Sequence, residues 1–332
     1  MKQSEADSSV AAAEAHWWLP VAAAAVEPKW PQAVVHLGEA LVLWRDGAEL
    51  RAFVDRCPHR GARLSLGTVR DGALECPYHG WRFDGGGQCT LIPALPGFTP
   101  PAGHCVKAWR VREAFGLSWV AAAEAGDDEP FAPPRLEGLP QRRVLCGPFD
   151  VDTSAPRVVE NFLDTAHFGI VHEGGLGTRA HLQVPSYEVV ADALGRPGVP
   201  RYRAWQPRGS TGMQAGGAWV DYRYQVLSPF SALLHKHAEG AMAPEAYALW
   251  TSPLGEDRCR VWFTIFVDER AADDATLIDF QQRIFAQDRP ILQSQRPARL
   301  PLDGGELFCA ADRLSAAYRR WLRSLNFTHG CC

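Results

Sequence analysis

Two groups of side chains in this 332-residue sequence have the types and spacing to hold metal. The first is Cys57-Pro-His59, then sixteen intervening residues, then Cys76-Pro-Tyr-His79. Two thiolates and two imidazoles on two loops can hold one zinc tetrahedrally, or a [2Fe-2S] cluster with both Cys on one iron and both His on the other. The loops themselves favour the cluster. Each runs from Cys-Pro to His and Gly, as CPHRG and CPYHG, where Pro stiffens the approach and Gly lets the backbone come close to inorganic sulfides. A Cys2His2 finger carries its two His together after a helix, and no helical pattern surrounds His79.

The second group lies in ENFLDTAHFGIVHEG, residues 160–174, where Asn161, Asp164 and His167 recur every three residues within an otherwise apolar run. Three polar groups on one helical stripe beside so much apolar surface must be satisfied by one another or by a metal. His172 follows His167 by five residues, about 140° around a regular helix, so the helix must loosen between them for both to face one ion. Gly169 sits in that interval and permits a bulge or a helix end. Two His and one carboxylate with open positions form the facial triad of non-haem Fe(II) oxygenases. For the carboxylate, a late helix from about Asp274 to Gln295 offers Asp288 on the stripe marked by Leu277, Ile284, Ile291 and Leu292. Asp279 falls among polar neighbours and can face water. A carboxylate on a buried face needs a cation, so Asp288 is the better ligand.

The elements around these groups give an α+β chain. From Trp17 to about Ala123, short β-type runs (AVVHL, ALVLW, RAFV, ALEC, GLSWV) alternate with Gly-rich turns, which predicts a small all-β domain. The Ala-, acid- and Pro-rich stretch at 121–134 reads as a linker. The expected division is a solvated terminus at 1–15, an all-β [2Fe-2S] domain at 16–125 and a catalytic domain at 126–332. In the last, the helical segment 158–172 leads into strand-like runs such as YRYQVLS, EAYALWTS and CRVWFTIFVD. The late helix then closes a helix-grip-like antiparallel sheet.

CPHRGARLSLG (57–67) and CPYHGWRF (76–83) resemble the Rieske iron-sulfur domain. Respiratory Rieske domains add a disulfide-forming Cys in each loop and a Ser after the second; here those places hold Ala62, Tyr78 and Trp81, which implies an oxygenase-type domain with a low potential. Asn161, Asp164, His167 and His172 match N-x-x-D-x-x-H-x-x-x-x-H of the Rieske non-haem iron oxygenases of the vanillate demethylase and pheophorbide oxygenase kind. Asp288 in FAQDRPI matches their late acidic ligand, with Gln287 where Glu is usual. HEGGLG, SQRPARLP and AYRRWL look most like the saxitoxin-pathway alkaloid hydroxylases. The resemblance implies Cys57, His59, Cys76 and His79 on the cluster, and His167, His172 and Asp288 on a mononuclear Fe(II). Asn161 and Asp164 are then catalytic residues that bind no iron. It also implies O2 as cosubstrate, and hydroxylation or oxidative demethylation of a small molecule, with an alkaloid among the candidates. In a homotrimer, Asp164 would bridge His167 to His79 of a neighbouring subunit, because the two metal sites of one chain are too far apart for efficient transfer. A ring-hydroxylating dioxygenase uses the same ligands, and an electron carrier with no catalytic iron is the reading from a different class.

Composition bounds the rest. A net charge of -4 with 22% charged residues supplies no basic field for nucleic acid. No apolar stretch is long enough to span a bilayer, and the first residues lack a signal-peptide pattern, so a cytoplasmic protein is expected. Nine Cys in a chain of this length point to reduced thiols or metal ligands. Gly175-Leu-Gly177-Thr-Arg-Ala180 has the glycines of a dinucleotide fingerprint but opens no βαβ unit. With no nicotinamide or flavin motif, a separate NAD(P)H-dependent reductase or a ferredoxin must bring electrons. His235 and His237 share one strand face and read as a solvated or core pair. His181 and His329 have no assignable partner. Cys89, Cys105, Cys146, Cys259 and Cys309 read as small core residues, Cys331 and Cys332 as exposed thiols, and some of the twelve Trp as cavity lining.

Overall fold

A computed structural model describes residues 16–123, 139–207, 216–241 and 243–332. The expected solvated terminus at 1–15 and the boundary at 125–126 lie outside the described residues, as does most of the expected linker. Backbone contacts divide the chain into two compact units, Met1–Pro130 and Phe131–Cys332.

The first unit is all β. Its strands are β1 (Leu19–Ala23), β2 (Gln32–His36), β3 (Glu39–Asp46), β4 (Glu49–Val54), β5 (Thr68–Arg70), β6 (Ala73–Glu75), β7 (Arg82–Phe83), β8 (Cys89–Leu91), β9 (Ala108–Ala114) and β10 (Leu117–Ala121). They form a six-stranded sheet in the order β1-β10-β9-β4-β3-β2 and a four-stranded sheet, β5-β6-β7-β8. Apolar side chains of both sheets, among them Trp44, Phe53, Leu74 and Phe83, pack into one core that also takes in Cys57 and Cys76. Burial of that surface anchors the two candidate metal-binding loops, one following β4 and one joining β6 to β7.

The second unit is a seven-stranded antiparallel sheet closed by helices. Its strands are β11 (Arg142–Val151), β12 (Val190–Ala191), β13 (Pro197–Gln206), β14 (Ala218–Ser228), β15 (Ser231–Ala238), β16 (Glu245–Gly255) and β17 (Arg258–Val267), in the order β11-β17-β16-β15-β14-β13-β12. The helices are α1 (Ala155–Leu163), α2 (Phe168–Val171), α3 (Asp274–Ser294) and α4 (Arg313–Ser324). Asp273 caps α3 by accepting from the Thr276 amide at 2.8 Å. Its buried face is Leu277, Gln281, Phe285, Asp288 and Leu292. Leu277 joins Val144, Ile265 and Val267 of the sheet in one core. Asp279 is exposed and ion-paired with Arg283, as its position predicted. Ile291, expected on the stripe, is 48% exposed, because the stripe follows spacings of four, four, three and four that pass it by.

Two expectations are corrected here. The segment 158–172 is not one helix that loosens after His167. It breaks at Asp164, whose backbone turns extended (ψ 131°) and whose Oδ1 accepts from the Ala166 amide at 2.8 Å. That local bond competes with the helical ladder, as short acidic side chains do. Gly169 makes no bulge; it lies buried within α2, where an added Cβ would come 2.5 Å from Leu182, so its role is close packing.

The second correction is α4, which was not foreseen. Its buried face of Leu314, Ser315, Tyr318, Arg319, Trp321 and Leu322 includes a charge that masks the apolar stripe. Arg319 reaches Glu160 on α1 with two bonds of 2.6 and 2.7 Å and Glu306 with one of 2.5 Å. This network fastens α1, and with it Asn161, to the C-terminal end of the unit.

Candidate metal centres

In the first unit the two loops repeat one backbone design. The Cys57 amide donates to the Ala62 carbonyl at 2.8 Å and the Gly61 amide to the Cys57 carbonyl at 2.9 Å. The second loop makes the same pair, Cys76 to Trp81 at 2.8 Å and Gly80 to Cys76 at 3.1 Å. Both turns close through a left-handed residue, Gly61 (φ 72°) and Gly80 (φ 68°), a conformation that costs Gly least. The glycines therefore shape the loops, beyond any approach to sulfide.

The two imidazoles converge, with His59 and His79 ring centroids 4.5 Å apart, and Trp81 stacks on His59 at 4.5 Å and 5°. The Nδ1 of His59 is buried and has no hydrogen-bond partner among the described residues. An orphaned buried nitrogen on a ring beside a second imidazole fits a metal ligand. Burial pushes the Cys57 thiol up to about 11, with Cys76 beside it adding to the rise, so a bound cation is needed to keep the Cys57 sulfur a thiolate. The cysteines are buried while His79 is exposed, which leaves the His side of the site at the surface.

In the second unit His167, His172 and Asp288 bring one donor atom each within 4.8 Å of one another, the one such group among the described residues. The four donors of the first unit do not gather this tightly, in keeping with two irons in place of one ion. His167 Nε2 lies 3.2 Å from His172 Nε2 and 3.5 Å from Asp288 Oδ1, and His172 Nε2 lies 3.1 Å from Asp288 Oδ1. Ligands about 2.1 Å from one ion at roughly right angles stand about 3 Å apart, so the three donors fit a shared cation on one face.

The outer nitrogens fix the tautomers. His167 Nδ1 is 3.1 Å from Asp164 Oδ2, and His172 Nδ1 is 2.8 Å from Gln287 Oε1. Each Nδ1 donates outward, which leaves both Nε2 lone pairs facing Asp288. Burial alone would lower the His172 pKa, but the Asp288 carboxylate and Gln287 outweigh it and raise it, the response of a site built for positive charge. Burial would raise Asp164, but the His167 imidazole and the backbone amides of Ala166 and His167, all facing the carboxylate, reverse this and hold it below the usual carboxylate range. Asn161 Nδ2 stands 3.5 Å from Asp288 Oδ1.

The triad opens on a cavity walled by aromatic side chains such as Phe162, Phe168, Phe263 and Phe285 and by aliphatic ones such as Leu234 and Ile284. None of its lining residues is a Trp, contrary to expectation. His235 and His237 point away from it, and the residue between them, Lys236, is the one that lines it. The weaker signals also resolve. Gly177 packs against the backbone of Phe168 and Gly169, with Cβ room of only 2.5–2.7 Å, so its glycine spacing reflects helix contact. His329 pairs with Glu256 at 3.3 Å, and His181 sits between Trp205 and Trp219. Cys89, Cys146 and Cys259 are buried as expected, whereas Cys105 and Cys309 are exposed and Cys331 is buried.

Sequence reasoning named Gln287 without its bond to His172, and overlooked Lys236 and the two tyrosines Tyr222 and Tyr224. Gln287 carried a signal, since it precedes the acidic ligand. The other three are set by strand register, which has no local signature.

Comparison with known proteins follows the same two units. Residues 16–109 match the Rieske [2Fe-2S] domain and residues 151–326 the vanillate O-demethylase oxygenase C-terminal domain. The methylxanthine N1-demethylase NdmA of Pseudomonas putida is 32% identical over 95% of this chain and 90% of its own. The N3-demethylase NdmB of the same organism is 30% identical over 94% and 90%. The solved structure of NdmA with caffeine superposes with a TM-score of 0.80 at 30% identity, covering 94% of this chain and 91% of that one. Dicamba monooxygenase bound to 3,6-dichlorosalicylic acid shares the fold at a TM-score of 0.72 and 21% identity, covering 94% and 98%.

Proposed function

This chain belongs to the Rieske non-haem iron oxygenases, and from that premise we propose that it removes an N- or O-methyl group from a small ring compound by hydroxylating that methyl. The observation that carries the reading is the group His167, His172 and Asp288 in the wall of an aromatic cavity. The chain is an oxidoreductase that uses O2 and electrons from outside. Cys57, His59, Cys76 and His79 would hold the [2Fe-2S] cluster, and the triad the Fe(II). When bound, these groups supply the redox chemistry: a methyl C–H, O2, two electrons and two protons give a hydroxymethyl group and water. The hydroxymethyl compound then loses formaldehyde and leaves the N–H or O–H product.

The protein's own part is position and exclusion of water. Asp164 and Gln287 hold the two imidazoles with their Nε2 atoms inward. The Phe walls keep solvent from the reacting methyl and orient a flat ring. Residues 16–125 would be the cluster domain and 126–332 the catalytic domain. No helix among the described residues is long and apolar enough to cross a membrane. A separate NAD(P)H-dependent reductase or a ferredoxin fits a chain in which no nicotinamide motif was found, and a cytoplasmic location fits that supply. A homotrimer would bring His79 of one subunit toward Asp164 of the next, giving the exposed His edge a task.

Anaerobic iron analysis tests the reading together with product analysis. About three irons per chain are expected, two in the cluster and one on the triad. Reduced protein with a reductase should then release formaldehyde from N-methyl heteroaromatics or methoxyarenes. Two irons per chain, or oxygenated products that keep the methyl carbon, would refute it.

A further inference from the structure

The sheet floor of the cavity carries polar groups that the metal chemistry does not use. Strand register sets Tyr202 on β13, Tyr222 on β14, Lys236 on β15 and Glu245 on β16 directly opposite one another, in one row on one face. Tyr224 stands two residues along from Tyr222 on the same face. Tyr222, Tyr224, Lys236 and Gln206 all line the cavity. Tyr222 and Gln206 are each 1% exposed, Tyr224 3% and Lys236 5%. The hydroxyls of Tyr222 and Tyr224 and the Oε1 of Gln206 find no hydrogen-bond partner among the described residues.

Buried polar atoms left without partners are costly, and three together in a ligand cavity mark a site that its ligand completes. Burial raises both Tyr222 and Tyr224 well above the ordinary phenol range, so both keep their O–H and act as donors. Lys236 has its countercharge in Glu245, which also accepts from Tyr247 at 3.0 Å. A second cation entering the cavity would meet the ammonium of Lys236 with that carboxylate already engaged.

Resting on the oxygenase reading above, we propose that Tyr222, Tyr224 and Lys236 bind the substrate through an acceptor oxygen, a carbonyl or a carboxylate, on a neutral or anionic ring. A protonated amine is turned away. Gln206 Oε1 takes a ring N–H or O–H where the substrate offers one. The acceptor end lies on the sheet floor, which directs the opposite edge of the ring, and its methyl, toward His167, His172 and Asp288. Among alkaloids this admits neutral lactam-type rings and excludes guanidinium or ammonium compounds.

Calorimetry on the iron-loaded protein, kept anaerobic and without reductant, tests this with four probes of similar size. Caffeine presents ring carbonyls, dicamba a carboxylate, N-methylindole no acceptor oxygen, and N-methylquinolinium a fixed positive charge. At least one of the first two should bind about tenfold or more tightly than either of the others, and which one does identifies the acceptor. Lys236→Met and Tyr222→Phe should each cut that preference by about tenfold. Tyr222→Phe removes a single oxygen, so it serves if the buried lysine variant fails to fold. The proposal is overturned if the variants keep the preference, if N-methylquinolinium binds best, or if neither acceptor probe binds. No electrons or O2 enter the experiment, so these outcomes concern recognition alone. Failure of the oxygenase reading would appear instead as a missing third iron.

Discussion

Replacing Gln287 by Leu tests how far the residue behind a ligand sets the affinity of the triad. The Gln287 Oε1 accepts from His172 Nδ1 at 2.8 Å, and His172 itself is 1% exposed. Leu keeps much of the volume and removes the acceptor. His172 then loses the bond that holds its proton on Nδ1, and a share of molecules carries the proton on Nε2, where a metal must bind. Loss of such outer partners weakens metal binding by about 10–100-fold. The Gln287 side chain lies on the exposed side of α3, so water replaces part of the lost bond, and the low end applies. That is about tenfold, or about 1.4 kcal/mol. Anaerobic competition for Fe(II) against a coloured chelator reads the ratio directly, with the Rieske absorption as a check on cluster loading. Gln287→Glu restores an acceptor and should bind iron at least as well as the parent. The reasoning is refuted if the Leu variant binds within twofold of the parent, or if the Leu and Glu variants match.

Cys57→Ala should abolish the Rieske absorption, while His167→Ala keeps it and stops product formation; bleaching of the cluster by His167→Ala would contradict separate sites. Asp164→Asn should retain both metals yet slow reoxidation of the reduced cluster about 10–100-fold in stopped flow, and an unchanged rate would end its bridging role. Burial pushes Lys236 down to about 8, with Glu245 opposing part of the shift. Between about pH 8 and 10.5 the unfolded chain therefore holds a proton that the folded protein has released, and the contribution of Lys236 to stability rises with pH across that window by up to roughly 3 kcal/mol. In urea unfolding from pH 7.5 to 10 the stability of the parent relative to Lys236→Met should climb by this amount, since buried thiols such as Cys146, pushed up to about 11, act in the opposite direction in both proteins alike. Arg319→Leu leaves the largely buried Glu160 without its ion partner, while Glu306 keeps Arg157, and should destabilise the second unit by about 3 kcal/mol in thermal or urea unfolding.

The cluster loops were legible in the sequence because all their requirements are local. Cys57 and His59, and Cys76 and His79, lie within single turns, and the Pro and Gly that shape those turns are neighbours in the chain. His167 and His172 share that advantage. Asp288 was legible for a different reason, since a carboxylate on an apolar helical stripe signals a cation without revealing its other ligands. The course of the chain between Asp164 and His167 was not, because a side chain that caps its own turn and one that stays in the helix have the same spacing. The resemblance to a known family supplied the chemistry in full, and the residues around the metals only in part. Tertiary structure alone chose which face of β15 meets the cavity. Alternation along a strand sorts His235 and His237 from Lys236 and stops there; the helices packed on the sheet decide which set is enclosed. The same holds for the row from Tyr202 to Glu245, whose members come from four strands and meet through register. Sequence pointed to the metals this chain would hold, because every candidate ligand except Asp288 has a partner at short spacing in its own segment. Folding decided what lines the cavity beside the triad, because those side chains are brought together only by strand pairing across the sheet.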